Sequence, residues 1–206
     1  MIRSCIIMLA ALFLSHPIFS QADSLQANTA DSVQQRIVLI GDAGSLHNGR
    51  HYVVNAVQKN IKLDSNTTIV YLGDNLYYTG LPDDAVPGYD VRRAVLDSQV
   101  TIAKGTAAKV YFIPGNHDWN REGPGGWEAI VREGQYIDRL GDKNVKFWPE
   151  DGCPGPIEVP LNKDVVLIII DSQWWLHPYD KPGIESDCPY KTKDEVLTRL
   201  DDIFSR

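Results

Sequence analysis

The sequence predicts an α/β fold built around a mainly parallel β-sheet. Short apolar or β-branched runs alternate along the chain with longer helical patterns, and this alternation is typical of βαβ units. The runs are apolar almost throughout, which is typical of strands that are covered on both faces. We predict four such strands, at residues 36–40, 67–72, 109–113 and 164–170.

Helical patterns occupy most of the sequence between these strands. We predict helices at residues 50–61, 89–104 and 126–140, and a last helix at 191–204. The segments 145–148 and 157–161 are interrupted by Pro and Gly, which indicates a surface hairpin or an excursion at the edge of the sheet.

The first 22 residues have the features of a secretory signal peptide. Arg3 is the only charged side chain before an apolar run from Cys5 to Leu14, and small residues follow at Ser20 and Ala22. That run is too short to cross a bilayer core of about 30 Å. An uncleaved N-terminal anchor is the alternative interpretation.

The rest of the chain predicts one exported domain. Residues 23–35 are polar and unpatterned, which indicates a flexible leader, and the domain is predicted to cover residues 36–206. No later apolar run is long enough for a transmembrane segment in the mature chain. We therefore expect a periplasmic or extracellular protein.

The charge of the chain disfavours nucleic acid and acidic membranes as partners. The formal net charge is −7, and the sequence contains no basic run that could neutralise a phosphate backbone. A small phosphate-ester substrate stays compatible, because bound metal cations would reverse the local sign of the charge.

Two cysteines would remain after signal removal. Cys153 and Cys188 both lie in turn-like segments, and an even number of cysteines in an oxidising compartment predicts a disulfide. Two free buried thiols are the alternative, because sequence alone does not place the two residues within bridging distance.

Three of the predicted strands end in segments that are rich in oxygen ligands. These segments are Gly41–Gly44, Gly73–Tyr77 and Gly115–Asp118. Each aspartate alone is more typical of a helix N-cap. The carboxyl ends of parallel strands share one edge of a sheet, however, and ligands bind there. Three blocks in sequence therefore favour a common site.

The donor types in these segments favour a metal ion. Carboxylate, amide and phenol oxygens with one imidazole form a hard set that suits a divalent or trivalent cation. A phenol with an ordinary pKa of about 10 becomes a ligand at neutral pH only when a strong Lewis acid displaces its proton. Tyr77 therefore points to Fe³⁺, and a plain packing tyrosine is the alternative.

The three segments resemble the first three blocks of the metallophosphoesterase family. The matching residues are Asp42 in Gly-Asp-x-Gly, Asp74 and Tyr77 in Gly-Asp-x-x-Tyr, and Asn116 with His117 in Gly-Asn-His-Asp. The resemblance covers residues 36–172 and implies the α/β sandwich of that family.

One pairing of residues resembles the purple acid phosphatase branch in particular. The wider family usually has a histidine two residues after the first Asp, whereas this chain has Gly44 there and Tyr77 in the second block. The resemblance implies a calcineurin-like hydrolase of phosphate monoesters or diesters with two metal ions, Fe³⁺ and a divalent Fe, Zn or Mn.

Ligand roles follow from the resemblance residue by residue. It implies that Asp42 and Tyr77 hold the first metal, that Asp74 bridges the two metals, and that Asn116 binds the second. Two cations about 3.5–4 Å apart clamp phosphoryl oxygens and lower the pKa of a bound water toward about 7, so that metal-bound hydroxide attacks phosphorus.

The catalytic residues implied by the resemblance are His117 and Asp118. His117 would contact the phosphate and the leaving group as proton donor or electrostatic stabiliser, which is typically worth about 10²–10⁴-fold in rate. Asp118 would be a partner that orients the imidazole.

The chain departs from the family in its later blocks. The family has a Val-x-x-His and a Gly-His-x-His block that supply three histidine ligands, and neither occurs here. The five histidines are His16, His47, His51, His117 and His177. We therefore expect a domain that is incomplete at its C-terminus, with a downstream segment or domain, and weak metal binding and little hydrolysis by this chain alone.

Several alternatives stay open. The half-site could be truncated or degenerate and act as a non-catalytic module that binds a phosphorylated ligand or a partner. A serine or cysteine hydrolase is poorly supported, because no Gly-x-Ser-x-Gly occurs. His47 and His51 are predicted as turn and helix-surface residues rather than ligands. Trp174, Trp175 and His177 are predicted to pack under a loop rather than to line a pocket.

Overall fold

The computed structural model describes residues 33–140 and 142–206. The predicted signal peptide and most of the predicted leader lie outside the described residues. Within them, none of the helices is both long enough and apolar enough to cross a membrane.

Four parallel strands form the main sheet. They are β1 (Arg36–Ile40), β2 (Thr67–Tyr71), β3 (Lys109–Phe112) and β4 (Val145–Phe147), in the order β1-β2-β3-β4. Every neighbouring pair is parallel, with Arg36 opposite Thr67 and Val110 opposite Val145. The predicted α/β class with a mainly parallel sheet is therefore confirmed.

Helices connect the strands. The three crossover helices are α1 (Tyr52–Asn60), α2 (Tyr89–Val100), which a 3₁₀ turn at Thr101–Ala103 extends, and α3 (Gly126–Arg139). Further 3₁₀ turns lie at Asn120–Glu122 and Glu150–Gly152. The chain continues through α4 (Ser172–Leu176) to α5 (Lys193–Phe204), whose first turn is closed by a capping box of Thr192 and Glu195.

Two predictions about strands are wrong. The segment 145–148 lies at the edge of the main sheet, but as a regular strand rather than a surface hairpin or an excursion, because β4 pairs with β3 and buries Val145 and Phe147 on the side of α3. The run 164–170 is a strand, β6 (Val166–Ile169), but it is not in the main sheet. It pairs antiparallel with β5 (Ile157–Pro160) in a separate two-stranded sheet.

The packing explains why β6 is apolar. The large core lies between the main sheet and the helices and contains Ile69, Phe112 and Ile130. A second cluster lies on the opposite face, where Ile169 of β6 packs with Val70 and Tyr111. Helices thus cover one face of the main sheet, and β5 and β6 cover the other face at β2 and β3, whereas Ile37 and Leu39 of β1 are exposed on that face.

The predicted disulfide is present. Cys153 follows the 3₁₀ turn after β4, Cys188 lies between α4 and α5, and their Cα atoms are 5.6 Å apart. The bond therefore ties the segment before α5 to the loop at the carboxyl end of β4.

Candidate metal centre

The loops that follow β1, β2 and β3 meet at the carboxyl edge of the sheet. We call the three segments 41–44, 73–77 and 115–118 the rim loops. Asp42 and Asp74 both adopt left-handed backbone conformations, with φ of 55° and 54°. The N–H of Asp42 donates to the carbonyl of Gly73 at 3.2 Å, which joins the first two rim loops.

The rim loops bring three of the predicted ligands together. The Tyr77 hydroxyl donates to Asp42 Oδ1 at 2.7 Å and lies 3.4 Å from Asp74 Oδ2. Asp42 and Asp74 follow different strands, so the phenol connects two carboxylates that are far apart in sequence. These oxygens can surround one small cation.

The third rim loop contacts the same carboxylate. The N–H of His117 donates to Asp74 Oδ1 at 3.1 Å, so the two oxygens of Asp74 face different rim loops. A Cβ on Gly115 would lie 2.4 Å from Asp74 Oδ1. Only glycine therefore allows this approach.

The electrostatics of Tyr77 fit a cation site. Loss of solvent, the hydrogen bond to Asp42 and the charge of Asp74 all raise the pKa of the Tyr77 phenol, because a phenolate would add a third negative charge. A multivalent cation among these oxygens would act in the opposite direction and favour the phenolate. The residues present thus fit a hard metal ion.

The imidazole of His117 is held by a backbone carbonyl. Nδ1 lies 2.7 Å from Tyr78 O, and because a carbonyl only accepts, Nδ1 carries the proton. The ring also meets Tyr77 edge-on, with centroids 4.6 Å apart. Nε2 is therefore the nitrogen that is left to interact with a ligand.

Asp118 does not orient His117, which corrects that prediction. Its carboxylate is fully buried and accepts hydrogen bonds from the backbone N–H groups of Asn75, Leu76 and Gly115, at 2.8–3.1 Å. It lies behind the rim and joins the second rim loop to the third. Its role in this structure is to position the loops.

Asn116 lies in the third rim loop between two residues that contact Asp74. It is half-buried, and among the described residues its side chain makes no hydrogen bond. The structure thus leaves its amide oxygen without a hydrogen bond among the described residues, and its role as a ligand stays a prediction.

Comparison with known proteins gives the family. A model of calcineurin-like phosphoesterases matches residues 35–192. The chain belongs to the calcineurin-like phosphoesterase family. Members of this family are metal-dependent hydrolases of phosphate esters and generally use two metal ions. No curated protein and no solved structure matches the chain.

A residue that the sequence did not predict supports the rim loops of this calcineurin-like phosphoesterase from helix α2. Gln99 on α2 is fully buried, and its Nε2 donates to Ala43 O and to Asn75 O, both at 2.9 Å. It therefore joins the first rim loop to the second. A glutamine on an amphipathic helix usually faces solvent, so no sequence signal marks it.

The other described histidines of the phosphoesterase are engaged elsewhere. His51 is buried, accepts from Val54 N as the N-cap of α1, and contacts Ala43 O through Nε2 at 2.9 Å, so it is not a helix-surface residue. His47 is exposed beside Tyr52. His177 is buried against Trp119.

The aromatic residues near α4 pack, as predicted. Trp174 is buried and its Nε1 donates to Pro182 O at 2.9 Å. Trp175 is half-buried against the core.

The donor set of this phosphoesterase depends on more than acids and histidines. Among the described residues, no group of three or more His, Cys, Asp or Glu side chains is arranged to hold a metal ion. A metal at the rim therefore needs the phenol of Tyr77 or the amide of Asn116 beside the two aspartates.

Proposed function

We propose that this chain hydrolyses phosphate monoesters or diesters at a binuclear metal centre like that of the purple acid phosphatase branch. The observation that carries the proposal is the contact of the Tyr77 phenol with the carboxylates of Asp42 and Asp74. Gly44 in the first rim loop, where the wider family usually has a histidine, supports the same branch.

The proposed ligands follow the order of the rim loops. Asp42 and Tyr77 would hold the first metal, Asn116 would hold the second, and Asp74 would contribute to both. A trivalent iron with a divalent Fe, Zn or Mn would supply Lewis acidity toward the phosphoryl oxygens and an activated water. Fe³⁺ is favoured because the phenol must lose its proton in a place where its pKa is raised.

His117 is the proposed catalytic residue outside the metal shell. Its Nδ1 proton is committed to Tyr78 O, which leaves Nε2 to contact the phosphate or the leaving oxygen. A positioned imidazole typically contributes about 10²–10⁴-fold to such a step.

We also propose that the protein is exported. The proposal rests on the signal-like N-terminus, and the disulfide supports it, because such bonds persist mainly in oxidising compartments.

A non-catalytic module that binds a phosphorylated ligand is the second candidate. It is favoured by the acid and histidine side chains of the described residues, among which no group of three or more is arranged to hold a metal ion. In that case the rim would still bind metal or phosphate without turnover.

The test is hydrolysis of p-nitrophenyl phosphate and bis-p-nitrophenyl phosphate by the purified protein, produced with any coding sequence that continues past Arg206 and loaded with iron or manganese. Asp74→Asn should lower turnover by at least about 100-fold, because it removes a charge that both metals share. Asp138→Asn, which changes a solvent-accessible carboxylate on α3, is the matched control and should leave turnover unchanged.

Equal turnover in the wild type and Asp74→Asn would exclude the proposed centre. Metal binding by the wild type without turnover of either ester would favour the non-catalytic module.

A further inference from the structure

Glu133 is a buried acid with no hydrogen-bond partner among the described residues. It lies on α3, it is fully buried, and among the described residues neither of its carboxyl oxygens has a hydrogen-bond partner. An ionised carboxylate in such surroundings would be costly, because nothing replaces the water that it loses.

The neighbouring group is the side chain of Asn75. Asn75 Nδ2 lies 3.0 Å from Ile113 O and 3.3 Å from Asp118 Oδ2, and both of those oxygens accept. The orientation of the amide is therefore fixed, and Asn75 Oδ1 is the atom that remains. It is buried, and it has no donor among the described residues.

Two unpartnered acceptors thus occur in neighbouring side chains. The Asn75 side chain adjoins the Glu133 carboxyl, and an N–H bond from Asn75 would lower the pKa of that carboxyl. Both N–H groups of Asn75 already point at Ile113 O and Asp118 Oδ2, however, so its oxygen is the atom left for Glu133. An amide oxygen and a carboxyl oxygen attract each other only when a proton lies between them, and the amide oxygen cannot carry it. A neutral carboxylic acid would satisfy Asn75 Oδ1 and remove the buried charge at once.

The two buried carboxyls differ in what they receive. Asp118 accepts three backbone N–H bonds, which stabilise its ionised form, and Glu133 accepts none. Burial and the charge of Asp118 raise the pKa of Glu133 well above its ordinary value. Of the two carboxyls, Glu133 is therefore the one that can carry a proton without giving up a hydrogen bond from a backbone N–H.

We propose that Glu133 is a neutral carboxylic acid that donates a hydrogen bond to Asn75 Oδ1, and that this bond positions the rim loops of the proposed metal centre. Asn75 in turn donates to Asp118, which holds the amides of Leu76 and Gly115. The positioning role at a metal rests on the proposed function, whereas the protonation state of Glu133 does not.

The protonation state can be read directly in the full chain. With carbonyl-¹³C glutamate, one side-chain carboxyl resonance should stay at its protonated position through neutral pH and should be missing in Glu133→Gln. If every glutamate titrates near its ordinary pKa of about 4.3, the proposal is overturned.

Hydrogen exchange tests the positioning of the loops. Glu133→Gln keeps an N–H donor and should leave the Leu76 and Gly115 amides as protected as in the wild type. Glu133→Leu removes the donor and should speed exchange of both amides by about tenfold or more. Gln135→Leu, at an exposed position on the same helix, is the matched control.

Metal affinity separates a positioning role from a packing role, because Glu133→Gln keeps a hydrogen-bond donor and Glu133→Leu does not. Calorimetry with Mn²⁺ should show a Kd raised about 10–100-fold in Glu133→Leu and restored in Glu133→Gln. Equal protection of the amides and equal affinity in Glu133→Leu would reject the positioning role. If the wild type binds no Mn²⁺, the proposed function fails, while the resonance and the amides still decide the state and role of Glu133.

Discussion

At the scale of single residues, the phenol of Tyr77 is the group whose chemistry is most unusual. It lies between two carboxylates that keep it protonated, and it is at the same edge of the sheet as His117. An ordinary packing tyrosine gains little from such neighbours. A ligand gains a site where one cation neutralises three oxygens.

Tyr77→Phe separates these two roles, because it removes the hydroxyl and keeps the ring. In the iron-loaded protein we expect loss of the visible phenolate-to-Fe³⁺ absorption. In the metal-free protein the free energy of unfolding should change by less than about 1.5 kcal/mol, since only one accessible hydrogen bond is lost.

Tyr78→Phe is the control for this experiment, because Tyr78 is 75% exposed and adjacent in sequence. It should retain the absorption. An unchanged visible spectrum in Tyr77→Phe would remove Tyr77 from the ligand set.

At the scale of elements, Gly44 and Tyr77 form one structural feature of the rim. A Cβ on Gly44 would lie 2.7 Å from both Leu76 C and Tyr77 N, and the N–H of Tyr77 donates to Gly44 O at 2.9 Å. The first rim loop therefore cannot carry a histidine at this position without moving the second. In the proposed centre a glycine here supplies no side-chain ligand, and the Tyr77 hydroxyl, 2.7 Å from Asp42 Oδ1, is close enough to serve instead.

Gly44→Ala should destabilise the protein by about 1–3 kcal/mol, because backbone atoms must move to admit the methyl group. It should also displace Tyr77 and weaken metal binding. Urea unfolding and Mn²⁺ calorimetry measure the two effects. Gly41→Ala is a matched control in the same loop, since its Cβ would meet nothing within 4 Å, and it should stay within about 0.5 kcal/mol of the wild type.

The sequence predicted most elements, and the two errors have one cause. An apolar run reports burial, but it does not say which sheet a strand joins. Val145–Phe147 has a lysine at its centre and is only three residues long, yet β3 offers it a parallel ladder. Val166–Ile169 is more apolar, yet it covers the main sheet instead of extending it.

At the scale of the whole molecule, the residues that touch the proposed ligand cluster were readable from sequence and those that support it were not. Asp42, Asp74 and Tyr77 stand out because strand ends of a parallel sheet converge. Gln99 and Glu133 lie on amphipathic helices, where polar residues are normally solvated, and only tertiary packing reveals that they are buried. Support of this kind is long-range and leaves no local pattern.

Three buried ionisable groups have pKa values that burial shifts in opposite directions, and they contact parts of the chain that are far apart in sequence. Asp171 caps α4, accepts from Trp119 Nε1 at 2.8 Å, and is joined through its own N–H to Pro154 O. Burial raises its pKa to about 7. Burial lowers the pKa values of His51 and His177. Stability as a function of pH is therefore a sum of opposing contributions.

The contribution of Asp171 can be isolated with Asp171→Asn. Between its ordinary pKa of about 4 and its folded value of about 7, the folded state keeps a proton that the unfolded state releases. The stability that this proton provides is full below pH 4 and is lost as pH rises to 7. The wild type should therefore exceed Asp171→Asn in free energy of unfolding by a margin that shrinks from pH 5 to pH 7, by up to about 1.4 kcal/mol per pH unit. The histidine contributions cancel in this difference, because both proteins contain them.

Urea unfolding of the metal-free proteins measures the margin. The control is Asp164→Asn, at an exposed carboxylate, for which the difference from the wild type in free energy of unfolding should stay constant with pH. A margin for Asp171→Asn that stays constant or grows with pH would mean that Asp171 is ionised in the fold, and that its hydrogen bonds to Trp119, Gln173 and Trp174 outweigh its loss of solvent.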